Sequence, residues 1–234
     1  MVTLFAFVLS TAHGFEVRTD EYGQALQWQR TNIRYQVNPT GDHGLSKAAV
    51  DTLISAASRA WTSPVQDNLQ FSHDGATTIR RANHDDGVNV IYFEDEWTQD
   101  PGLLAVTYLW SNTNGEVLGF DMAPNAEHHQ WSTDGREDAN DLLNTLSHEF
   151  GHTLGIDHSP VVELATMYPT SPLGEVLKRD LFDDDIDAVT HLYAHSKDVD
   201  AVAAGCSGTG FNPNTLAIWL SIPLIAIRRR TSTT

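Results

Sequence analysis

Three histidines at fixed spacing are the residues of this chain with the clearest chemistry. They are His148, His152 and His158, in the run HEFGHTLGIDH. Residues four apart on a helix lie on one face about a turn apart, so the first two histidines can bind one ion. Gly155 tolerates the left-handed conformation that ends a helix, which lets His158 return as a third ligand. Three nitrogen ligands leave one position open, which is typical of catalytic zinc.

Glu149 follows the first histidine directly and is the candidate general base. Zinc makes water acidic and polarises a carbonyl, so a neighbouring carboxylate can take a proton from water and pass it to a leaving amine. HExxH alone could arise by chance on a surface helix. The added glycine and third histidine, with a methionine downstream, complete the established metzincin signature. We expect Met167, in ATMYP, to form the turn beneath the metal.

Three segments together resemble the matrixins, the matrix-metalloproteinase branch of the metzincins. They are HEFGHTLGIDHS (148–159), Met167-Tyr168-Pro169 and LFDDDI (181–186), and the resemblance covers about residues 28–193. It is most specific after residue 103. The resemblance implies an α+β, zincin-like fold in which a five-stranded twisted sheet is combined with an active-site helix and a C-terminal helix. It also implies zinc-dependent hydrolysis of peptide bonds.

The same resemblance implies roles for three further groups. They are an edge strand that pairs with an extended substrate by β-augmentation, the wall of the pocket for the residue after the cleaved bond, and an acidic pair that braces the floor of the site. The edge strand contains Leu104 and Ala105, and the pocket wall contains Pro169, Thr170 and Ser171. The acidic pair is Asp184 and Asp185. The acidic pair could also simply cap a helix.

The chain departs from the matrixin pattern in its secondary metal site and in its cysteine. Val106 and Gly119 stand where two histidines of a structural zinc are expected, so we predict one zinc ion. His128 and His129 are possible substitutes, but adjacent residues suit shared ligation poorly. Cys206 lies after the catalytic domain, so inhibition by a propeptide thiol is not expected.

Hydrophobic periodicity outlines the elements before the site. Alternation at Ile33, Tyr35 and Val37 predicts a strand, and residues 88–93 predict a second, buried one. A helix capped by Ser46 should follow the first strand. Residues 103–110 and 116–122 flank an Asn-Gly turn and predict a hairpin. The helix that Ser46 caps should bury one stripe of side chains: Val50, Leu53, Ile54, Ala57 and Trp61.

Two helices are predicted at the site itself. The active-site helix runs from Asp141 and can be capped by Asp138 or Asn140. The last helix begins near Asp183, where acidic residues suit the positive end of the helix dipole. Its predicted buried stripe is Ile186, Val189, Leu192 and Tyr193.

Composition limits the partners. The formal net charge of −17 argues against a nucleic-acid partner, which would attract clustered Lys and Arg. The acidity fits solubility outside a cell, or calcium binding, for which Asp134, Asp138 and Asp183 are available. A single cysteine excludes an intramolecular disulfide.

The sequences at the two ends of the chain predict targeting signals. Residues 1–14 resemble a signal peptide without its usual basic start. Either the true start lies upstream, or the apolar run is instead a buried strand. Residues 15–27 form an N-terminal segment and 28–195 the catalytic domain. Residues 196–215 read as a flexible linker in which Cys206 is a candidate lipidation site. Residues 216–234 resemble a sorting signal with its cluster Arg228–Arg230; an ordinary short anchor is the alternative.

These observations predict a secreted or surface-anchored, monomeric zinc endopeptidase that acts on extended protein or peptide substrates. The C-terminal signal would bring it to the membrane or cell envelope. Two other functions stay open: a catalytically silent zinc module that binds a partner, and a zinc amidase that acts on cell-wall peptides. The presence of Glu149 argues against the silent module, because such a module has no chemical need for a base.

Overall fold

The computed structural model describes residues 14–38, 40 and 44–194, and the backbone of 217–220 and 225–227. The predicted signal peptide up to residue 13, the linker with Cys206 and the cluster Arg228–Arg230 lie outside the described residues. Among the described residues, no helix is both long and apolar enough to cross a bilayer.

A mixed sheet of five strands forms one layer of the domain. The strands are β1 (Asn32–Val37), β2 (Gln70–Ala76), β3 (Val90–Ile91), β4 (Ala105–Ser111) and β5 (Val117–Pro124), in the order β2-β1-β3-β5-β4. Only β4 and β5 pair antiparallel within these five, as the predicted hairpin requires. The α+β, five-stranded architecture expected from the sequence is therefore confirmed.

Five short strands complete the pairing. β6 (Trp131–Ser132) pairs with β7 (Asn140–Asp141), and β8 (Thr170–Pro172) pairs parallel with β10 (Ile225–Ile227). β9 (Ala217–Leu220) runs antiparallel to β4 and adds a sixth strand to the sheet. Both strands of the C-terminal segment therefore pair with strands of the domain.

Three α-helices pack with the sheet: α1 (Lys47–Thr62), α2 (Leu142–Thr153) and α3 (Asp183–Tyr193). The Ser46 side chain caps α1 by accepting from Ala49 N, as predicted. The cap of α2 is Asp141, not Asp138 or Asn140. The reason is the pairing of β7 with β6, which keeps the chain extended through Asp141.

Two further expectations differ from the structure, and one strand has no counterpart among the predicted elements. The strand predicted over 88–93 is confined to Val90–Ile91 of β3. The additional strand is β2, whose side chains are mostly exposed and which pairs parallel with the edge of β1. Ile186 is 36% exposed, so the buried stripe of α3 instead contains Asp185, Ala188, Val189, Leu192 and Tyr193.

The core lies between the helices and the sheet, and it brings α2 close to α1. The Trp61 indole donates a 2.6 Å hydrogen bond to Ser147 O of α2. Gly151, between the first two histidines, allows the close approach. A Cβ atom at this position would lie 2.3 Å from Met167 Sδ and 2.7 Å from Trp61 Cζ2. The packing therefore fixes α2 against both α1 and the methionine turn.

Gly155→Ala should destabilise the protein strongly. Gly155 has φ +81°, and an added Cβ would lie 2.0 Å from Leu26 O, so backbone strain and a clash with the main chain add together. We expect a loss of at least about 2 kcal/mol of unfolding free energy. Thermal unfolding of the zinc-free protein measures it, at about 2–4 °C per kcal/mol.

Gly23→Ala is the matched control, because Gly23 has the same φ of +81° but nothing within 4 Å of the added Cβ. It should show the backbone strain alone, about 1 kcal/mol. Equal losses for the two variants would contradict the contact with Leu26.

Candidate active site

The three predicted histidines converge on one point. Their ligand atoms all lie within 4.8 Å of one another, and His148 Nε2 is 3.1 Å from His158 Nε2. Two nitrogens that share a tetrahedral zinc at about 2.0–2.1 Å lie about 3.4 Å apart, so the observed spacing fits one ion. His152 Nε2 is buried and has no hydrogen-bond partner within the described part of the chain, as expected of an atom that binds a metal.

Backbone carbonyls set the orientation of the first two rings. His148 Nδ1 donates to Thr166 O at 2.7 Å, and His152 Nδ1 donates to Ile156 O at 2.9 Å. A carbonyl can only accept, so each Nδ1 carries the proton and each Nε2 keeps a free lone pair. This carbonyl contact is the usual outer support of a histidine ligand.

Burial keeps the three imidazoles neutral. It lowers the pKa of His148 and His152 well below the usual value, and the neighbouring histidines lower both further. Burial also lowers the pKa of His158 to about 4, although Asp157 opposes the shift. Neutral imidazole is the form that binds a metal, so the site needs no deprotonation step at neutral pH.

The turn containing Met167 is held by Asp185. Its Oδ2 accepts from Thr166 N at 2.7 Å, and its Oδ1 accepts from Met167 N at 3.1 Å. Because Thr166 O in turn accepts from the His148 ring, a continuous path of hydrogen bonds joins α3 to a metal ligand. Asp184 binds a different part of the site: its Oδ2 accepts a 2.7 Å hydrogen bond from Ser159 Oγ, next to the third histidine.

Glu149 directly follows His148 in α2, and its side chain is fully buried. Its Oε2 accepts a 2.6 Å hydrogen bond from Thr107 Oγ1 in β4, whereas its Oε1 has no partner among the described residues. Burial raises the pKa of Glu149 to about 7, while the Thr107 hydroxyl and the positive charge of Arg18 oppose that rise. The carboxylate is thus shielded from solvent, and one of its oxygens is available to accept a proton.

The predicted substrate strand begins in the interior of the domain. Leu104 and Ala105 are buried, and Leu104 O accepts from Asn125 N at 2.8 Å. Ala105 opens β4, and the pairing of this strand with β9 involves residues 108–111, beyond Leu104 and Ala105.

The predicted pocket wall is likewise paired. Thr170 and Ser171 belong to β8, and β10 runs parallel beside them. The Ser171 hydroxyl accepts from Asn144 Nδ2 of α2 at 3.0 Å and donates to Glu175 Oε2 at 2.8 Å. Lys178 Nζ donates to Thr170 O and contacts the same Glu175 carboxylate, so the wall is attached to α2 and to a buried ion pair. Pro169 directly precedes β8.

The other metal candidates lie in separate environments. His129 contacts Pro101 O and Asn140, and Nε2 of His128 is 4.0 Å from Glu127. Asp138 pairs with Arg136, and Asp183 opens α3. In the part of the chain that the structure describes, the three histidines are the one group placed to share a metal.

Sequence reasoning missed Thr107, Thr166 and Arg18. Thr107 is polar within a strand that is otherwise mostly apolar, which is a weak signal of a buried polar contact. Arg18 lies in the segment predicted to precede the domain, yet it is almost fully buried, and its guanidinium is 3.6 Å from Asp157. Neither signal identifies the partner, because both contacts join distant parts of the chain.

Comparisons with known proteins agree with this geometry. A model of the matrixin family matches residues 27–194. Karilysin of Tannerella forsythia is 26% identical over 201 residues, which cover 82% of this chain and 39% of karilysin. Human neutrophil collagenase and bovine interstitial collagenase are each 30% identical over 176 residues, 73% of this chain. The chain spans about a third of the length of both collagenases.

Asp185→Asn should weaken zinc binding. An amide nitrogen cannot accept hydrogen bonds, so at least one backbone N–H group of the methionine turn or of Phe182 would lose its acceptor. We expect about 1–3 kcal/mol less unfolding free energy and an affinity for zinc about 10–100-fold weaker. Chelator competition and thermal unfolding of the zinc-free protein measure the two effects.

Asp183→Asn is the matched control, since this carboxylate is exposed in the same helical turn. It should leave the zinc affinity within about twofold. A zinc affinity in Asp185→Asn equal to that of this control would show that the methionine turn does not support His148.

Proposed function

This chain belongs to the matrixin family, and on that premise we propose that it is a zinc-dependent endopeptidase with Glu149 as its general base. The observation that carries the proposal is the Glu149 carboxylate. It directly follows the ligand His148, it is fully buried, and among the described residues its Oε1 lacks a partner. A buried, half-satisfied carboxylate costs free energy of folding, so its presence fits a catalytic role better than a silent binding module.

The chain's own residues can perform each proton transfer. His148, His152 and His158 hold the zinc ion, which when bound supplies Lewis acidity to water and to the substrate carbonyl. Glu149 Oε1 accepts a proton from the attacking water. The same carboxyl group then delivers a proton to the leaving amine nitrogen, so the carboxylate is regenerated and no covalent enzyme intermediate forms.

We further propose that the substrate binds in an extended conformation. Its backbone would pair with the start of β4 around Leu104 and Ala105, and the residue after the cleaved bond would contact Pro169, Thr170 and Ser171. The main-chain groups of a strand can recognise a peptide independently of its sequence, which suits an endopeptidase. Support for this arrangement comes from the matrixin resemblance.

An extracellular or cell-surface location, as a monomer, completes the proposal. The apolar start of the chain and the net charge of −17 support export. The apolar C-terminal stretch followed by arginines supports delivery to the cell envelope.

Glu149→Gln should abolish most of the peptidase activity. Glutamine keeps the shape of the side chain but cannot accept a proton, so kcat should fall by about 10²–10⁴-fold. We would assay residues 14–195, which contain every residue of the described hydrophobic core. Quenched peptide libraries, casein and cell-wall peptides are offered to the zinc-loaded protein, with and without a chelator.

Glu163→Gln is the control, because Glu163 is an exposed carboxylate near the third histidine in sequence. It should keep full activity. If the zinc-loaded wild type hydrolyses no polypeptide faster than Glu149→Gln, the endopeptidase proposal fails. Cleavage of cell-wall peptides alone would identify a zinc amidase instead.

A further inference from the structure

A buried hydrogen bond connects the sheet to the general base. Thr107 Oγ1, in β4, is 2.6 Å from Glu149 Oε2, in α2, and both side chains are fully buried. The backbone O of Glu149 is farther from the same hydroxyl, at 3.4 Å. Of these two contacts, the one to the carboxylate is shorter and involves the stronger acceptor.

This bond makes the two oxygens of Glu149 unequal. Oε2 is held by Thr107, whereas Oε1 has no partner among the described residues. The terminal torsion of a glutamate is otherwise broad and roughly two-fold, so a free carboxylate would exchange its oxygens. A fixed hydrogen-bond donor on the sheet removes that freedom and leaves a single oxygen, Oε1, available to exchange protons.

We propose that Thr107 is a positioning residue for catalysis, which holds Glu149 Oε2 so that Oε1 is the oxygen that takes and returns the proton. The inference rests on the proposed function. Its physical basis is that proton transfer requires the base within hydrogen-bond reach of the water, and loss of orientation lowers the rate without removing the base.

Three threonine substitutions test the role. Thr107→Val keeps the shape and removes the hydroxyl, and kcat should fall about 10- to 100-fold, the worth of a hydrogen bond to a charged group, with KM within about twofold. Thr107→Ser restores the hydroxyl and should restore most of kcat. Thr145→Val removes another buried hydroxyl, which donates to Asp141 O, and should leave kcat unchanged.

Two readouts do not depend on turnover. Zinc affinity, measured by chelator competition, should be the same in the wild type and in both Thr107 variants. The carboxylate stretch of Glu149, identified in zinc-free protein by subtraction of the Glu149→Gln infrared spectrum, should shift in Thr107→Val and return in Thr107→Ser. A kcat lowered equally in Thr107→Val and Thr107→Ser, or an unshifted band, would overturn the role of the hydroxyl. An inactive wild type, together with a shifted carboxylate band in Thr107→Val, would instead contradict the proposed function alone.

The pairing of the C-terminal segment carries a second inference. β9 runs antiparallel to residues 108–111 of β4, and β10 runs parallel to Thr170–Pro172 of β8. β10 lies beside the wall that the matrixin resemblance assigns to substrate, and β9 lies on the same strand as Leu104 and Ala105 but farther along it. Both pairings use main-chain groups, and an extended substrate would need the same groups of β8.

We propose that this C-terminal segment is an intramolecular inhibitor that competes with substrate until it is removed. The idea again rests on the proposed function. It would supply a form of latency in a chain whose cysteine lies outside the catalytic domain. It is compatible with a sorting role, because removal of the segment during sorting would also free β8.

The test uses the full chain, in non-ionic detergent, with a site for a specific protease inserted after His195. Cutting should raise kcat/KM on a quenched peptide at least about tenfold. Ala226→Pro in the uncut chain should also activate, because proline disrupts the pairing of β10, whereas Ala204→Pro in the predicted linker should not. Equal activity before and after cutting would refute the inhibitor; no activity in either form would refute the endopeptidase.

Discussion

Three buried imidazoles must each direct one nitrogen at a common point, and the rest of the site depends on this constraint. Helical spacing aligns only His148 and His152. His158 reaches them because the chain turns at Gly155, where φ is +81°. That turn lies against Leu26 O so closely that a side chain has no room. The third ligand is therefore placed by contact with the N-terminal part of the chain as well as by its own loop.

Backbone carbonyls orient the histidine rings and connect them to the surrounding fold. Thr166 O and Ile156 O accept from the first two histidines, and Asp185 holds the peptide groups around Thr166. Each support is fully buried, so a lost acceptor would leave an N–H group without water to replace it. This explains why a charged residue, Asp185, occupies the buried stripe of α3 where the apolar pattern predicts Ile186.

The sequence predicts the parts of the site that are local. The ligands, the turn glycine, the hairpin and the matrixin resemblance follow from short spacings, and the family match confirms that resemblance. The supports are not local: Asp185 and Thr166 are 19 residues apart, and Thr107 and Glu149 are 42 apart. Asp141 caps α2 only because β7 pairs with β6. Such pairings depend on the sheet register, which periodicity does not determine.

The start of α3 shows why the N-terminal segment belongs physically to the domain, although the sequence separates it. Asp184 Oδ1 accepts from the N–H group of Gly14, the residue before this segment and the last one of the predicted signal peptide. Its Oδ2 accepts from Ser159 Oγ, directly after the third histidine. The segment also pairs with the zinc-binding loop, since Arg18 N donates to Gly155 O. Adjacent carboxylates thus serve two sides of one site: Asp185 holds the methionine turn, and Asp184 joins the loop of the third ligand to the beginning of the described chain.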